Sequence, residues 1–179
     1  MSLDTPRLVL RAWREADIEP FIRDLNVGPV MRWLGGVRTR EQQVAAVRER
    51  FMAWQESRGF TFWAVERKAD GALLGFCGLK IADDPESPVE GEFEVGWRLR
   101  EEAWGQGYAK EAAVASLDFA FDKLGAERVV ALTVDGNAPS WGLMLRLGMT
   151  RRPDLDYATA QWADGMVIVY EMRREQWRS

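Results

Sequence analysis

The stretch Trp97-Arg-Leu-Arg-Glu-Glu-Ala-Trp-Gly-Gln-Gly-Tyr-Ala-Lys-Glu-Ala112 constrains the fold of this chain more than any other. A run with strand character ends near Leu99, a short polar turn brings in Gly105 and Gly107, and helix-forming residues begin at Tyr108. A helix entered this way exposes N–H groups that have no intrahelical acceptor and that carry partial positive charge. Glycines at the same place let an anion approach without meeting a Cβ. The expected occupant is a phosphorylated cofactor. The stretch is not the dinucleotide fingerprint, because Lys110 stands where the third glycine belongs, and it is not a P-loop, because no Gly-Lys-Ser/Thr follows.

The rest of the chain supplies elements for a mixed α+β domain. Alternation predicts strands over Arg7–Trp13, Phe60–Arg67, Leu73–Ala82, Glu92–Leu99, Arg128–Val134, Met149–Tyr157 and Met166–Arg173. Helical spacing predicts helices over Arg14–Leu25, Thr39–Ser57 and Gly107–Leu124, with a fourth starting beside Pro139 and ending at Leu147-Gly148. Thr39 and Gln42 have capping-box spacing. Asp70-Gly71 is a hairpin turn. No repeat or linker interrupts the pattern, so residues 1–179 are expected to form one domain, with about seven strands in the sheet and about four helices.

Absences narrow the chemistry. There is no histidine, which excludes a Ser–His–Asp triad, a Cys–His pair and histidine metal sites; no metal is expected. The single cysteine, Cys77, lies in an apolar alternating run and reads as a small buried hydrophobe. One cysteine cannot form an internal disulfide and the N-terminus has no signal-peptide apolar core, so a cytoplasmic location is expected. The formal net charge of −4 argues against nucleic acid and anionic membranes as partners. Proton transfer falls to Glu, Asp, Tyr, Lys or water.

Trp104-Gly-Gln-Gly-Tyr-Ala-Lys-Glu-Ala112 resembles the acyl-CoA-binding motif of the GCN5-related N-acetyltransferase (GNAT) family, and most of all its ribosomal-protein N-terminal acetyltransferase-like (RimJ/RimL-type) branch. Thr5-Pro-Arg-Leu-Val-Leu-Arg11, Glu94-Val-Gly-Trp97, and Asn137-Ala-Pro-Ser140 followed by Leu147-Gly148-Met149 resemble further motifs of that branch in the same order. Two positions depart from it. Glu102 stands where relatives often carry Gln or Arg, and Met144 stands where many carry a tyrosine that protonates the leaving thiolate.

The resemblance implies a mostly antiparallel sheet splayed between the Glu92–Leu99 and Arg128–Val134 strands. It implies acetyl-CoA as cosubstrate, its pantetheine arm paired along Val95, Gly96 and Trp97 like an added strand. Its pyrophosphate would lie on the backbone of Gly105, Gln106, Gly107, Tyr108 and Ala109, and Asn137 would bind the arm from the other wall. Glu94 would act as base or amine-orienting group, with Glu92 second on the same strand face, and Ser140 would relay a proton to the thiolate. Tyr108 would pack beside the cofactor rather than act as an acid, and Glu111 would hydrogen-bond locally on its helix. Trp33 is the candidate wall of the acceptor pocket, and Trp162 the other exposed tryptophan.

The acceptor would be a small-molecule amine or a protein N-terminus. An α-amine with a pKa near 7.7–8.0 costs only about 1 kcal/mol to deprotonate at pH 7, and a lysine about 4.6 kcal/mol, so an α-amine needs only a modest base or a water relay. A non-catalytic acyl-CoA sensor on the same fold is the alternative. A homodimer joined through the final strands is the expected assembly, if there is one.

Overall fold

The computed structural model describes residues 2–159 and 165–177. The chain opens with β1 (Ser2–Asp4) and β2 (Leu8–Arg11), then a 3-10 turn into α1 (Ile18–Leu25) and the short α2 (Gly28–Met31). One long helical run follows, as α3 (Arg40–Ala45), a π-helical stretch (Ala46–Met52) and α4 (Ala53–Arg58). The Thr39 capping box starts it: Gln42 N–H donates to Thr39 Oγ1 at 3.2 Å and Thr39 N–H to Gln42 Oε1 at 3.0 Å. Next come β3 (Phe62–Arg67), β4 (Leu73–Ile81), β5 (Phe93–Leu99), α5 (Tyr108–Asp122), β6 (Arg128–Thr133) and α6 (Ala138–Arg146). The chain ends with β7 (Thr150–Arg151), β8 (Tyr157–Ala158), β9 (Met166–Arg173) and α7 (Arg174–Trp177).

The strands lie in the order β1-β2-β3-β4-β5-β6-β9-β7, with β8 also on β9. Every pair is antiparallel except β5–β6, which is parallel and pairs only Phe93 with Val129 and Glu94 with Val130. Beyond Glu94 the two strands part, and the sheet splays open along Val95–Leu99, where the sequence placed the split. The nine described strands exceed the expected seven for local reasons. β1 has three residues and shows no periodicity of its own. The single strand expected over Met149–Tyr157 is instead β7 and β8, separated by a 3-10 turn at Pro153–Leu155, because Pro153 has no N–H to continue a ladder.

The two sheet faces carry separate cores. On the back, α5 and α6 bury Leu117, Phe121, Leu143 and Met144 against Leu10, Trp63, Leu79 and Val95. On the front, α1 and the π-helical stretch bury Phe21 and Phe51 against Trp13, Phe62 and Phe76, with Phe62 and Phe76 stacked at 5.0 Å. A third, smaller cluster of Val89, Val130, Tyr157, Val167 and Val169 covers the far side of the split. Cys77 is fully buried beside Ser116 and burial pushes its thiol up to about 12, so it is an inert core residue.

Candidate active site

The glycine turn builds the first half of the site. Gly105 (φ +70°) and Gly107 (φ +80°) are both left-handed, a conformation that costs an L-residue roughly 1–2 kcal/mol. Space beside Gly105 is open, and a Cβ on Gly107 would meet only the tip of Arg7, at 3.4 Å. Among the described residues, no protein acceptor takes the N–H groups of Gly105, Gln106, Gly107, Tyr108, Ala109 or Lys110; the first bond of the helix is Glu111 N–H to Gly107 O. Six successive free N–H groups at the start of a 15-residue helix suit a polyanion such as a pyrophosphate.

Side chains brace this turn. Trp104 Nε1–H donates to Leu99 O at 2.8 Å, and Gln106 Nε2–H to Glu102 O at 2.5 Å. The Glu102 carboxylate is 78% exposed, so at this position the backbone carbonyl is what the turn uses. Arg7 lies over the Tyr108 ring at 4.5 Å, donates to Gln106 O at 2.9 Å and pairs with Glu111 at 2.6 Å. Glu111 is thus not a locally bonded helix residue. It accepts from Thr5 Oγ1 at 2.7 Å and from Arg7 N–H at 2.8 Å, clamping the β1–β2 turn to the first turn of α5. The Tyr108 ring is buried in the back core beneath Arg7, and its phenol lies beside Arg67.

The split supplies the second half. Val95 and Trp97 point to the back core, while Glu94, Gly96 and Arg98 line the front. Gly96 has no room for a side chain: a Cβ would lie 2.9 Å from the Phe62 ring. Across the split, Asn137 Nδ2–H donates to Thr133 Oγ1 at 3.1 Å, and among the described residues its Oδ1 has no partner. Ser140 is half-buried in the first turn of α6; its N–H donates to Asn137 O at 3.0 Å, and among the described residues its hydroxyl has no partner. Met144 is buried in the back core. The Trp33 ring covers Gly136, where a Cβ would meet it at 2.7 Å, so the segment after α2 roofs the end of the split beside Asn137. Trp162 lies outside the described residues.

The two carboxylates expected on one strand face separate. Glu92 precedes β5, is half-exposed and is held by Arg128 at 2.5 Å. Glu94 is buried, at 7% exposure, with Oε2 3.3 Å from Lys80 Nζ, its register partner on β4, and in no hydrogen bond of good geometry. Burial pushes the Glu94 carboxyl up, and Lys80 opposes this only in part. Burial works against the Lys80 ammonium too, but Glu94 and Asp83, 2.7 Å away, outweigh it and hold Lys80 charged. Tyr157 completes the surroundings; burial and the nearby Asp84, Glu94 and Asp83 raise its phenol to about 12 against a hydrogen bond from Ser87. Lys80, Tyr157 and Arg7 escaped sequence reasoning. Only Lys80 had a signal, its place in the strand paired with β5.

With this geometry, comparison with known proteins gives the class. Residues 7–150 match the acetyltransferase (GNAT) domain, and the chain belongs to that family. The protein is an acetyltransferase, of a family that uses acetyl-CoA as cosubstrate. It is 36% identical over 152 residues to the uncharacterized N-acetyltransferase YnaD of Bacillus subtilis, covering 84% of each chain. It is 34% identical over 95 residues, 51% of this chain and 40% of the relative, to the FsC-acetyl coenzyme A-N(2)-transacetylase of Aspergillus fumigatus. The acetyltransferase structure from Agrobacterium tumefaciens superposes with a TM-score of 0.79 at 29% identity, covering 97% of this chain and 94% of that one. No helix among the described residues is long and apolar enough to cross a membrane, and no group of three or more His, Cys, Asp or Glu among them can hold a metal ion.

Proposed function

We propose that residues 1–179 act as one acetyl-CoA-dependent N-acetyltransferase domain of the RimJ/RimL-type branch, moving the acetyl group to a primary amine by direct attack. One observation carries this reading: β5 and β6 pair at only two positions and then part, and the six free N–H groups of the glycine turn follow the end of β5. An extended pantetheine arm pairs with the free edge at Val95, Gly96 and Trp97 while the pyrophosphate takes the cradle. Asn137 Oδ1 accepts from the arm across the split.

Glu94 orients the amine and takes its proton, directly or through water. A buried carboxylate with a raised pKa, whose Oε2 makes no contact tighter than its 3.3 Å ion pair with Lys80, suits that task. As the new N–C bond forms and the C–S bond breaks, a backbone N–H near Val95–Gly96 stabilises the oxyanion. Ser140, whose hydroxyl has no partner among the described residues, relays a proton to the thiolate in place of the tyrosine that Met144 replaces. Glu92, tied to Arg128, holds the closed end of the split rather than serving as base. Trp33 walls the acceptor pocket.

The test is a thiol-release assay with acetyl-CoA across N-terminal peptides, amino acids, polyamines and aminoglycosides. Turnover with any amine supports the reading. Tight CoA binding without turnover across the panel replaces it with an acyl-CoA sensor, a reading favoured by one observation, the buried Met144 at the tyrosine position.

A further inference from the structure

Glu94 lies at the buried end of a line of alternating charges. Its Oε2 is 3.3 Å from Lys80 Nζ, Lys80 Nζ is 2.7 Å from Asp83 Oδ1, and Asp83 Oδ2 is 3.2 Å from Arg50 Nη2. Lys80 faces Glu94 directly in the β4–β5 register, and its flexible stem could close a charge-assisted bond of about 2.7–2.9 Å to it. The ammonium makes that bond to Asp83 instead, and Glu94 Oε2 is left with no hydrogen bond. Asp83 is exposed, but its place is fixed. It follows Ala82, whose N–H donates to Glu92 O at 2.9 Å and whose carbonyl accepts from Gly91 N–H at 2.9 Å, so the loop between β4 and β5 is closed at its base. Arg50, on the π-helical stretch of the front layer, lies over the Trp54 ring at 5.0 Å and meets the second oxygen of Asp83.

The other charges around Glu94 leave this competition to Asp83. Among the described residues Lys80 is the only ion-pair partner of Glu94. On the same strand Glu92 is held by Arg128, and Arg98 lies over the Phe76 and Phe21 rings with no carboxylate partner among the described residues. On β9, Glu171 is held by Arg152 at 2.7 Å and Arg173 at 3.1 Å. From β8, Tyr157 stands near as an un-ionised phenol, and Asp84, near Tyr157, accepts from Glu86 N–H at 3.0 Å. Asp83 and Glu94 therefore share one ammonium. A short bond from Lys80 would favour ionised Glu94 and would occupy the lone pair that must receive a proton. Asp83 opposes Lys80 on both counts.

We propose that Asp83 is a positioning residue: its carboxylate draws the Lys80 ammonium off Glu94 and keeps Glu94 Oε2 able to take the proton of the acceptor amine. The proposal rests on the reading of Glu94 as base given above. Asp83 acts through Lys80, and Arg50 ties it to the front helical layer.

The test reads Asp83→Asn in two ways. The Glu94 carboxyl carbon is titrated by carbon-13 NMR in CoA-loaded protein, its signal assigned by its loss in Glu94→Gln. The pH–rate profile is measured with acetyl-CoA and the most active amine of the panel above. In Asp83→Asn, Lys80 should close on Glu94, so that the Glu94 titration and the acidic limb of the profile move together to lower pH. The kcat should fall severalfold while KM for acetyl-CoA stays unchanged. Asp83→Glu, which keeps the carboxylate, should restore both. In a Lys80→Met background, Asp83→Asn should leave both nearly where they are. A Glu94 titration that does not move in Asp83→Asn, or that moves as far without Lys80 as with it, overturns the proposal. A loss of kcat with neither shift overturns it too, since a merely structural role does that. A Glu94 titration that moves while the limb stays put supports the placing of Lys80 by Asp83 and overturns only the reading of Glu94 as base.

Discussion

The two faces of the split are made of different material. The cradle at its end is backbone: six N–H groups from consecutive residues, held open by two left-handed glycines. The front strip is side chains: Glu94, Lys80 and Arg98, each set by packing from α1, β4 or the third cluster. A backbone site tolerates change in almost every side chain and fails when a glycine gains one. A side-chain site inverts this, because its chemistry depends on charges that burial makes costly.

Mutations can break that contrast in order of expected effect. Gly107→Glu places a strained residue and a negative charge in the cradle; CoA affinity should fall more than a hundredfold while the circular dichroism spectrum and melting curve stay those of a folded protein. Unchanged CoA affinity would remove the cradle from the cofactor site. Glu94→Gln should leave CoA affinity alone and lower kcat by roughly 10²–10⁴, the usual span for a general base. The deficit should shrink at high pH, where the amine is already neutral; a pH-independent deficit would sink Glu94 as base.

The same residue sets a stability signature. Its folded-state pKa is raised, so the folded protein holds the proton more tightly than the unfolded chain, and stability declines as pH rises from the ordinary carboxyl range through the raised value. Melting curves against pH should lose that decline in Glu94→Gln. Lys80→Met removes the charge that opposes burial and should move the acidic limb of the pH–rate profile upward, with activity lost below it; a limb that stays put would uncouple the pair. Arg7→Ala, the smallest change, should weaken CoA severalfold, because Arg7 braces Gln106 O and lies on Tyr108 while Glu111 already offsets its charge. No change in affinity would leave the cradle entirely to the backbone.

Legibility followed the same contrast. The Gly105–Gly107 turn, the Thr39 capping box and the long strands were readable because their determinants are neighbours in sequence: backbone torsion, a three-residue spacing and period-two alternation. β7 and β8 were not, since two-residue strands exist only through their pairing with β9. Glu111 was misread because its partners lie on the β1–β2 turn, more than a hundred residues earlier in the chain. Glu92 and Glu94 looked equivalent by alternation, but one meets Arg128 at the closed end of the split and the other is covered beside Lys80.

The sequence by itself determined the order of elements, the glycine turn and the family, because local torsional preference and hydrophobic period are properties of short segments. Only the tertiary structure decided which charges are buried, which are paired and which are left over. Burial and pairing are set by segments far apart in the chain, and they separate Glu94 from Glu92 and leave Arg98 with no counter-ion among the described residues.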